Sequence, residues 1–185
     1  MKKFGSFIDM VKNRQSVRAY SNNPIDRECI ERCLEAARLA PSACNAQPWK
    51  FVVVDDPALR NDLADTTQDR ILPMNHFTKQ APVLIVVVRE QANLTSNLGQ
   101  VIKNKEYPLM DIGIAVEHLC LQAVEEGLGT CIMGWFNEKK VKKLLGIPIR
   151  KRAELIITLG YPASDQIREK KRKSMEEICV YNKYV

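Results

Sequence analysis

Histidine is almost missing from this chain. The two present, His76 and His118, stand at no ligand-like spacing from a cysteine, so a His/Cys zinc site has no framework and no metal is expected. There is no C-x-x-C pair either. The six cysteines, at 29, 33, 44, 120, 131 and 179, read as reduced thiols used as small hydrophobes. Glycine is scarce, with 8 in 185 residues. Gly127, Gly129 and Gly134 do not match G-x-G-x-x-G and follow a helix instead of opening one, which speaks against a classical dinucleotide-binding turn. G-x-S-x-G, the Walker A loop and H-E-x-x-H are absent. No acid pair and no nucleophile–base pair stands out, so an enzyme of this sequence would draw its reactive group from a cofactor. Hydrophobic runs are short as well. The longest, Ala81 to Val88, falls well below the roughly 18–20 residues that cross a bilayer and reads as a buried strand. No apolar segment follows Met1-Lys2-Lys3, so a signal peptide is not expected and a cytoplasmic location is.

What remains is an ordinary globular composition, 45% apolar and 27% charged, in a length that suits one domain over residues 1–185. The net charge of +6 is spread unevenly. Arg168, Lys170, Lys171, Arg172 and Lys173 form one cluster, and Lys139, Lys140, Lys142 and Lys143 another. Such clusters are usually solvated faces; otherwise they meet an anion, whether nucleic acid, membrane or a ligand phosphate.

The hydrophobic period predicts a short helix over residues 6–12 and a longer one over 26–40. The longer one has Asp26 as N-cap, a stripe of Ile30, Cys33, Leu34 and Ala37, and Pro41 as its stop. Lys50 to Val54 reads as a strand, Asp56-Pro57 starts a helix running into the high 60s, and 82–89 is a central strand. The longest helix is predicted over Tyr107–Glu126, with Leu109, Ile112, Gly113, Val116, Leu119, Cys120, Ala123 and Val124 facing the core. A strand over 129–135, a helix capped by Asn137 and closed by Gly146, and a strand over Ala153–Leu159 follow. Residues 68–80 read as a lid or irregular loop and 91–105 as a polar connection. The apolar ending Ile178 to Val185 needs a sheet edge or a partner subunit to bury it. Strands and helices alternate without regular βαβ units, which fits a layered α+β arrangement.

Three stretches bear on chemistry. Arg14, Ser16 and Arg18 alternate, so on an extended backbone they project from one face and offer two guanidiniums and a hydroxyl to a phosphate. The same pattern also fits a polar edge strand. Pro41 to Trp49 is stiff, rich in amides and free of glycine, and it suits holding polar groups in fixed positions. Gly134, near a strand end, marks close approach of a ligand or of another backbone. His76 in its loop reads as incidental more readily than as a catalytic acid.

Five blocks occur in order: Arg14-x-Ser16-x-Arg18, P-S-A-C-N-A-Q-P-W, C-I-M-G-W-F, L-G-Y-P and K-K-R-K-S-M-E-E-I. Together they resemble the nitroreductase family of FMN-dependent oxidoreductases over residues 8–184. The resemblance implies an α+β fold with a mixed sheet flanked by helices. It also implies a homodimer with flavins at its interface and a C-terminal extension crossing to the partner. It implies hydride transfer from NADH or NADPH through FMN to a nitroaromatic, quinone or similar small acceptor by a ping-pong route. Arg14 and Ser16, with Gln15 between them, match the residues that hold the flavin phosphate, and Arg18 matches the cation at the N1/O2 edge. Pro41, Ser42, Ala43 and Asn45 match the loop that lines the ring and ribityl chain from the other subunit, with Gln47 and Trp49 bracing it. Met133 and Gly134 match the backbone on the N5/O4 side, and Lys170 and Arg172 the further phosphate contacts. No catalytic side chain is implied. Asn75, His76 and Lys79 receive no role, and the regions that cover the site in longer members are short here. The same architecture also serves reductive dehalogenation, dehydrogenation and flavin destruction. A non-enzymatic basic binding protein is a further alternative, but Arg168 to Lys173 lacks the aromatics that nucleic-acid binding interleaves. Neither nucleic acid nor membrane is an expected partner.

Overall fold

β-Branched and aliphatic residues crowd four segments, and each becomes a strand: β1 (Trp49–Val54), β2 (Val83–Arg89), β3 (Gly129–Met133) and β4 (Arg152–Gly160). The computed structural model describes residues 4–68, 74–91 and 105–184, and in it the strands form one sheet in the order β1-β2-β4-β3. All three pairings are antiparallel. A single parallel bridge from Ser16 to Thr130 of β3 is what makes the sheet mixed. β2 lies inside and is buried from Val83 to Val88; β1, just as apolar, is an edge and mostly half-buried.

Six helices accompany the sheet among the described residues: α1 (Phe7–Asn13), α2 (Arg27–Arg38), α3 (Pro57–Asp65), α4 (Tyr107–Glu125), α5 (Glu138–Leu145) and α6 (Met175–Ile178). Successive residues of β2 point to opposite faces. Val83, Ile85 and Val87 pack with Ile30, Cys33 and Ala37 of α2 and with Ile112, Val116 and Leu119 of α4. Leu84, Val86 and Val88 pack with Leu63 and Ala64 of α3 and Val141 of α5. The result is three layers, with α2 and α4 on one face and α3 and α5 on the other. The two helices of the first layer are clamped by Arg32, which donates to both oxygens of Glu126 at 2.7 and 2.8 Å, while Gln122 donates to the same carboxylate at 3.0 Å.

Several boundaries shift from the expected ones. α3 ends at Asp65 because the Thr66 and Thr67 hydroxyls donate back to the Leu63 and Ala64 carbonyls, both at 2.7 Å. Asp26 stands at the N-cap of α2, but its side chain makes no capping bond. Part of the expected lid, His76–Gln80, is a 3₁₀ turn with Thr78 buried, while 69–73 and 92–104 lie outside the described residues. Leu109 and Gly113, expected in the core, are exposed, because the buried stripe of α4 runs through Asp111, Ile112, Ala115 and Val116 and leaves Leu109, Met110 and Ile114 facing outward. α1 buries none of its residues, and Met175, Ile178, Tyr181 and Tyr184 of the tail are exposed too. Among the described residues no helix is long and apolar enough to cross a membrane.

Candidate functional site

The Arg14–Tyr20 segment is laid along the outer edge of β3. The Val17 N–H donates to the Thr130 carbonyl at 2.8 Å, and Ser16 forms the parallel bridge to Thr130. Gly129 permits the approach, since a Cβ there would stand 2.4 Å from Val17 Cγ2. The far end of the segment is anchored by Tyr20, whose hydroxyl donates to the Val17 carbonyl at 2.9 Å and pairs with Thr158 Oγ1, which in turn accepts the Cys131 N–H at 3.0 Å. Burial pushes the Tyr20 phenol far above its usual range, so it stays a donor at any physiological pH. Edge strand and polar face, alternatives in the sequence, are here the same thing: Val17 turns inward and Arg18 outward.

The basic tail returns to this edge. Gln15 Nε2 donates to the Gln166 carbonyl at 2.9 Å, and Gln15 Oε1 accepts from the Arg168 backbone N–H and Nε, each at 3.2 Å. Arg168 also donates to the Ser16 carbonyl. Lys170 Nζ donates to the carbonyls of Val11, at 3.1 Å, and Lys12, closing the C-terminal end of α1. These ties make one open cavity of about 410 Å³ lined by Arg14, Gln15, Ser16, Arg18 and residues 168–172. Arg14, Arg18, Arg168, Lys170, Lys171 and Arg172 bring positive charge against the single carboxylate of Glu169. Burial, and then the nearby Arg14 and Arg172, push the Lys170 ammonium below its usual pKa. Such a cluster is relieved by an anion.

The second constellation is the Pro41–Trp49 loop. Cys44, Asn45 and Gln47 all have left-handed backbones, with φ of 51°, 51° and 46°, a conformation that costs non-glycine residues on the order of 1 kcal/mol each. Local bonds hold it: the Gln47 N–H donates to Ser42 Oγ at 2.9 Å and Gln47 Nε2 to Asn45 Oδ1 at 3.0 Å. The Ala43 N–H donates to the carboxylate of Asp111, buried in α4, at 3.1 and 3.2 Å. Trp49 packs against the α2/α4 core while Asn45 stays exposed. Strain held this firmly is characteristic of functional loops.

Within one chain the expected site residues form two groups. Arg14, Gln15, Ser16, Arg18, Lys170 and Arg172 share the cationic cavity; Pro41, Ser42, Ala43, Asn45, Met133 and Gly134 do not line it. Helix α4 links the groups, since Asp111 holds the loop and Glu117 lies 3.6 Å from Arg14, roughly 9 Å further along the axis. Met133 is buried in β3, and Gly134 lies just past its end, where a Cβ would meet nothing within 4 Å. Unlike Gly129, Gly134 is not demanded by packing within the chain. The turn after it is braced by Asn75 Nδ2, which donates to the Trp135 carbonyl at 3.3 Å and the Thr67 carbonyl at 3.2 Å. Sequence reasoning assigned no role to Arg168, although it stands in the basic cluster, nor to Asp111, whose signal was a lone acid inside an apolar helix stripe.

The chain is similar to known proteins over most of its length. The nitroreductase family model matches residues 11–161, which include the Arg14–Arg18 segment, the strained loop and Gly134 but stop short of the basic tail. A relative from Archaeoglobus fulgidus, whose name carries NADH dehydrogenase and NAD(P)H nitroreductase, is 32% identical over 168 residues, covering 86% of this chain and 87% of that protein. An iodotyrosine deiodinase from Thermotoga neapolitana is 28% identical over 174 residues, covering 83% and 87%. Among solved structures, a nitroreductase family protein from Clostridium novyi NT superposes with a TM-score of 0.75 at 31% identity over 89% of each chain. An FMN-dependent nitroreductase from Clostridium difficile R20291 does so with a TM-score of 0.74 at 27% identity, over 96% of this chain and 100% of its own. With its edge segment, strained loop and three-layer fold all inside the matched region, the chain belongs to the nitroreductase family.

Proposed function

We propose that this protein is an FMN-dependent NAD(P)H oxidoreductase that passes a hydride from NADH or NADPH to a small acceptor, such as a nitroaromatic or a quinone, in two half-reactions. The observation that carries the reading is the convergence of Arg14, Ser16, Arg18, Lys170 and Arg172 on one open cavity. A phosphate monoester near −2 at neutral pH matches the excess of cations, so the residues fit the group. FMN would supply a two-electron centre at N5 that accepts and returns hydride.

The protein's part is binding, orientation and charge. Arg14, Ser16, Gln15, Lys170 and Arg172 hold the phosphate, and Arg18 keeps a fixed positive charge at the N1/O2 edge, where negative charge accumulates on reduction. The exposed backbone at Gly134, with Met133 before it, offers close approach because no Cβ intervenes. Pro41, Ser42, Ala43 and Asn45 serve the site of a second subunit, their shape fixed by Asp111. The outward apolar residues Phe7, Ile8, Leu109, Met110 and Ile114 fit burial in a homodimer, and the exposed tail from Met175 to Tyr184 fits a crossing to the partner. No side chain is required as acid or base.

The test is NADH and NADPH oxidation by the purified yellow protein with a nitroaromatic or quinone acceptor. A second reading, reductive dehalogenation, is favoured by the relatives named iodotyrosine deiodinase. Halide release from an iodinated phenol under the same conditions separates the two.

A further inference from the structure

Helix α5 has one apolar stripe, Glu138 at its first position and otherwise lysine. Val141 is fully buried. At about 100° per residue, Lys142, Lys139, Lys143 and Lys140 fall at roughly 100°, 160°, 200° and 260° from it, so lysine covers the whole outward arc. Lys142 is engaged: its Nζ donates to the carbonyls of Ile149 and Lys151 at 2.5 and 2.6 Å. That tie folds the Pro148–Lys151 turn against the side of the helix. There Ile149 stands 92% exposed, next to exposed Arg150. The nearby carboxylates are committed elsewhere, Glu138 to Arg152 and Lys142 and Glu90 to Lys151. Among the described residues, no ion pair joins Lys139, Lys140, Lys143 or Arg150 to a carboxylate.

We propose that this face docks peripherally on an anionic lipid bilayer. Lys139, Lys140, Lys143 and Arg150 would lie against the headgroup phosphates, and Ile149 would enter the apolar layer behind them. An apolar tip at one edge of an arc of unpaired cations matches an interface in which phosphate and hydrocarbon follow one another over a few ångströms. An acidic protein could pair with the same cations, but it gives Ile149 no particular role. A nucleic acid would be met by aromatic stacking groups, and none lies among these five residues. The proposal revises the expectation that no membrane is a partner, and it stands independently of the flavin chemistry.

The test uses the full-length protein as purified, with a variant of the second basic cluster as control, and vesicles of phosphatidylcholine with or without about one-third phosphatidylglycerol. Sedimentation at about 0.1 M salt is expected to show binding to the anionic vesicles alone, largely abolished at about 0.5 M. Lys139→Gln, Lys140→Gln and Lys143→Gln should each weaken binding about fivefold. Ile149→Ser should weaken it at unchanged charge, and Lys173→Gln, outside the patch, should leave it intact. Thermal midpoints should match throughout. Failure to bind anionic vesicles, or equal weakening by Lys173→Gln, overturns the proposal. Indifference of binding to Ile149→Ser overturns it in favour of an acidic protein partner, the more so if soluble polyglutamate competes.

Discussion

Asp111 of α4 holds Ala43 of the Pro41–Trp49 loop, its buried carboxylate accepting the Ala43 N–H at 3.1 and 3.2 Å. This bond fixes the start of a loop whose next two residues are left-handed. Asp111→Ala should cost about 1–3 kcal/mol of stability, since the N–H loses its acceptor. Asp111→Asn, which keeps an oxygen, should cost less. FMN affinity should fall in the same order. Urea unfolding and a flavin titration of both variants check this.

Glu126 makes stability depend on acid. The hydrogen bond from Arg32, aided by Gln122, holds its carboxyl down to about 2 against the ordinary 4.5. A depressed folded-state value means the contribution is fully present above 4.5 and is lost as pH falls from there towards 2. Its ceiling is about 3 kcal/mol at about 1.4 kcal/mol per unit. Glu126→Gln should therefore be less stable than the native protein at pH 7 and nearly equal to it near pH 2. Denaturant midpoints across that range measure the convergence.

Two glycines should part company. Gly129→Ala forces a Cβ into Val17 and should displace the Arg14–Arg18 segment, costing about 1–3 kcal/mol and weakening flavin binding. Gly134→Ala enters open space. Its thermal midpoint should stay near native while the flavin spectrum or its reduction by NADH changes. A Gly134→Ala protein with native spectrum and turnover would remove this glycine from the site.

Lys170 should couple binding to protons. In the free protein burial and the neighbouring Arg14 and Arg172 depress its pKa; a phosphate beside it raises the value again. Binding then takes up a proton at alkaline pH, and FMN affinity should decline as pH rises through the depressed value. Lys170→Met should flatten that decline, as read from isothermal titrations in two buffers of different ionisation enthalpy.

Much of this was legible in the chain itself. The apolar run of Ala81–Val88 predicts an interior strand, and Ser16, midway between Arg14 and Arg18, lies in an edge bridge to β3. The limits are equally particular. Phe51 to Val54 reads like β2, yet β1 is an edge, because edge or centre is decided by which strands pair. Asp111 in its apolar stripe has no local partner; Ala43 lies 68 residues away. The Lys170 bonds to the end of α1 span 158 and 159 residues, and no pattern in either segment announces them.

The most direct test compares FMN with riboflavin, which lacks the phosphate, by fluorescence titration of the flavin-free protein at moderate salt. Two or more charge-assisted bonds at about 1.5–3 kcal/mol each predict that FMN binds at least about 100-fold more tightly. Equal affinities, or no binding of either flavin, would contradict the assignment of the Arg14–Arg18 and 168–172 cavity as the phosphate site.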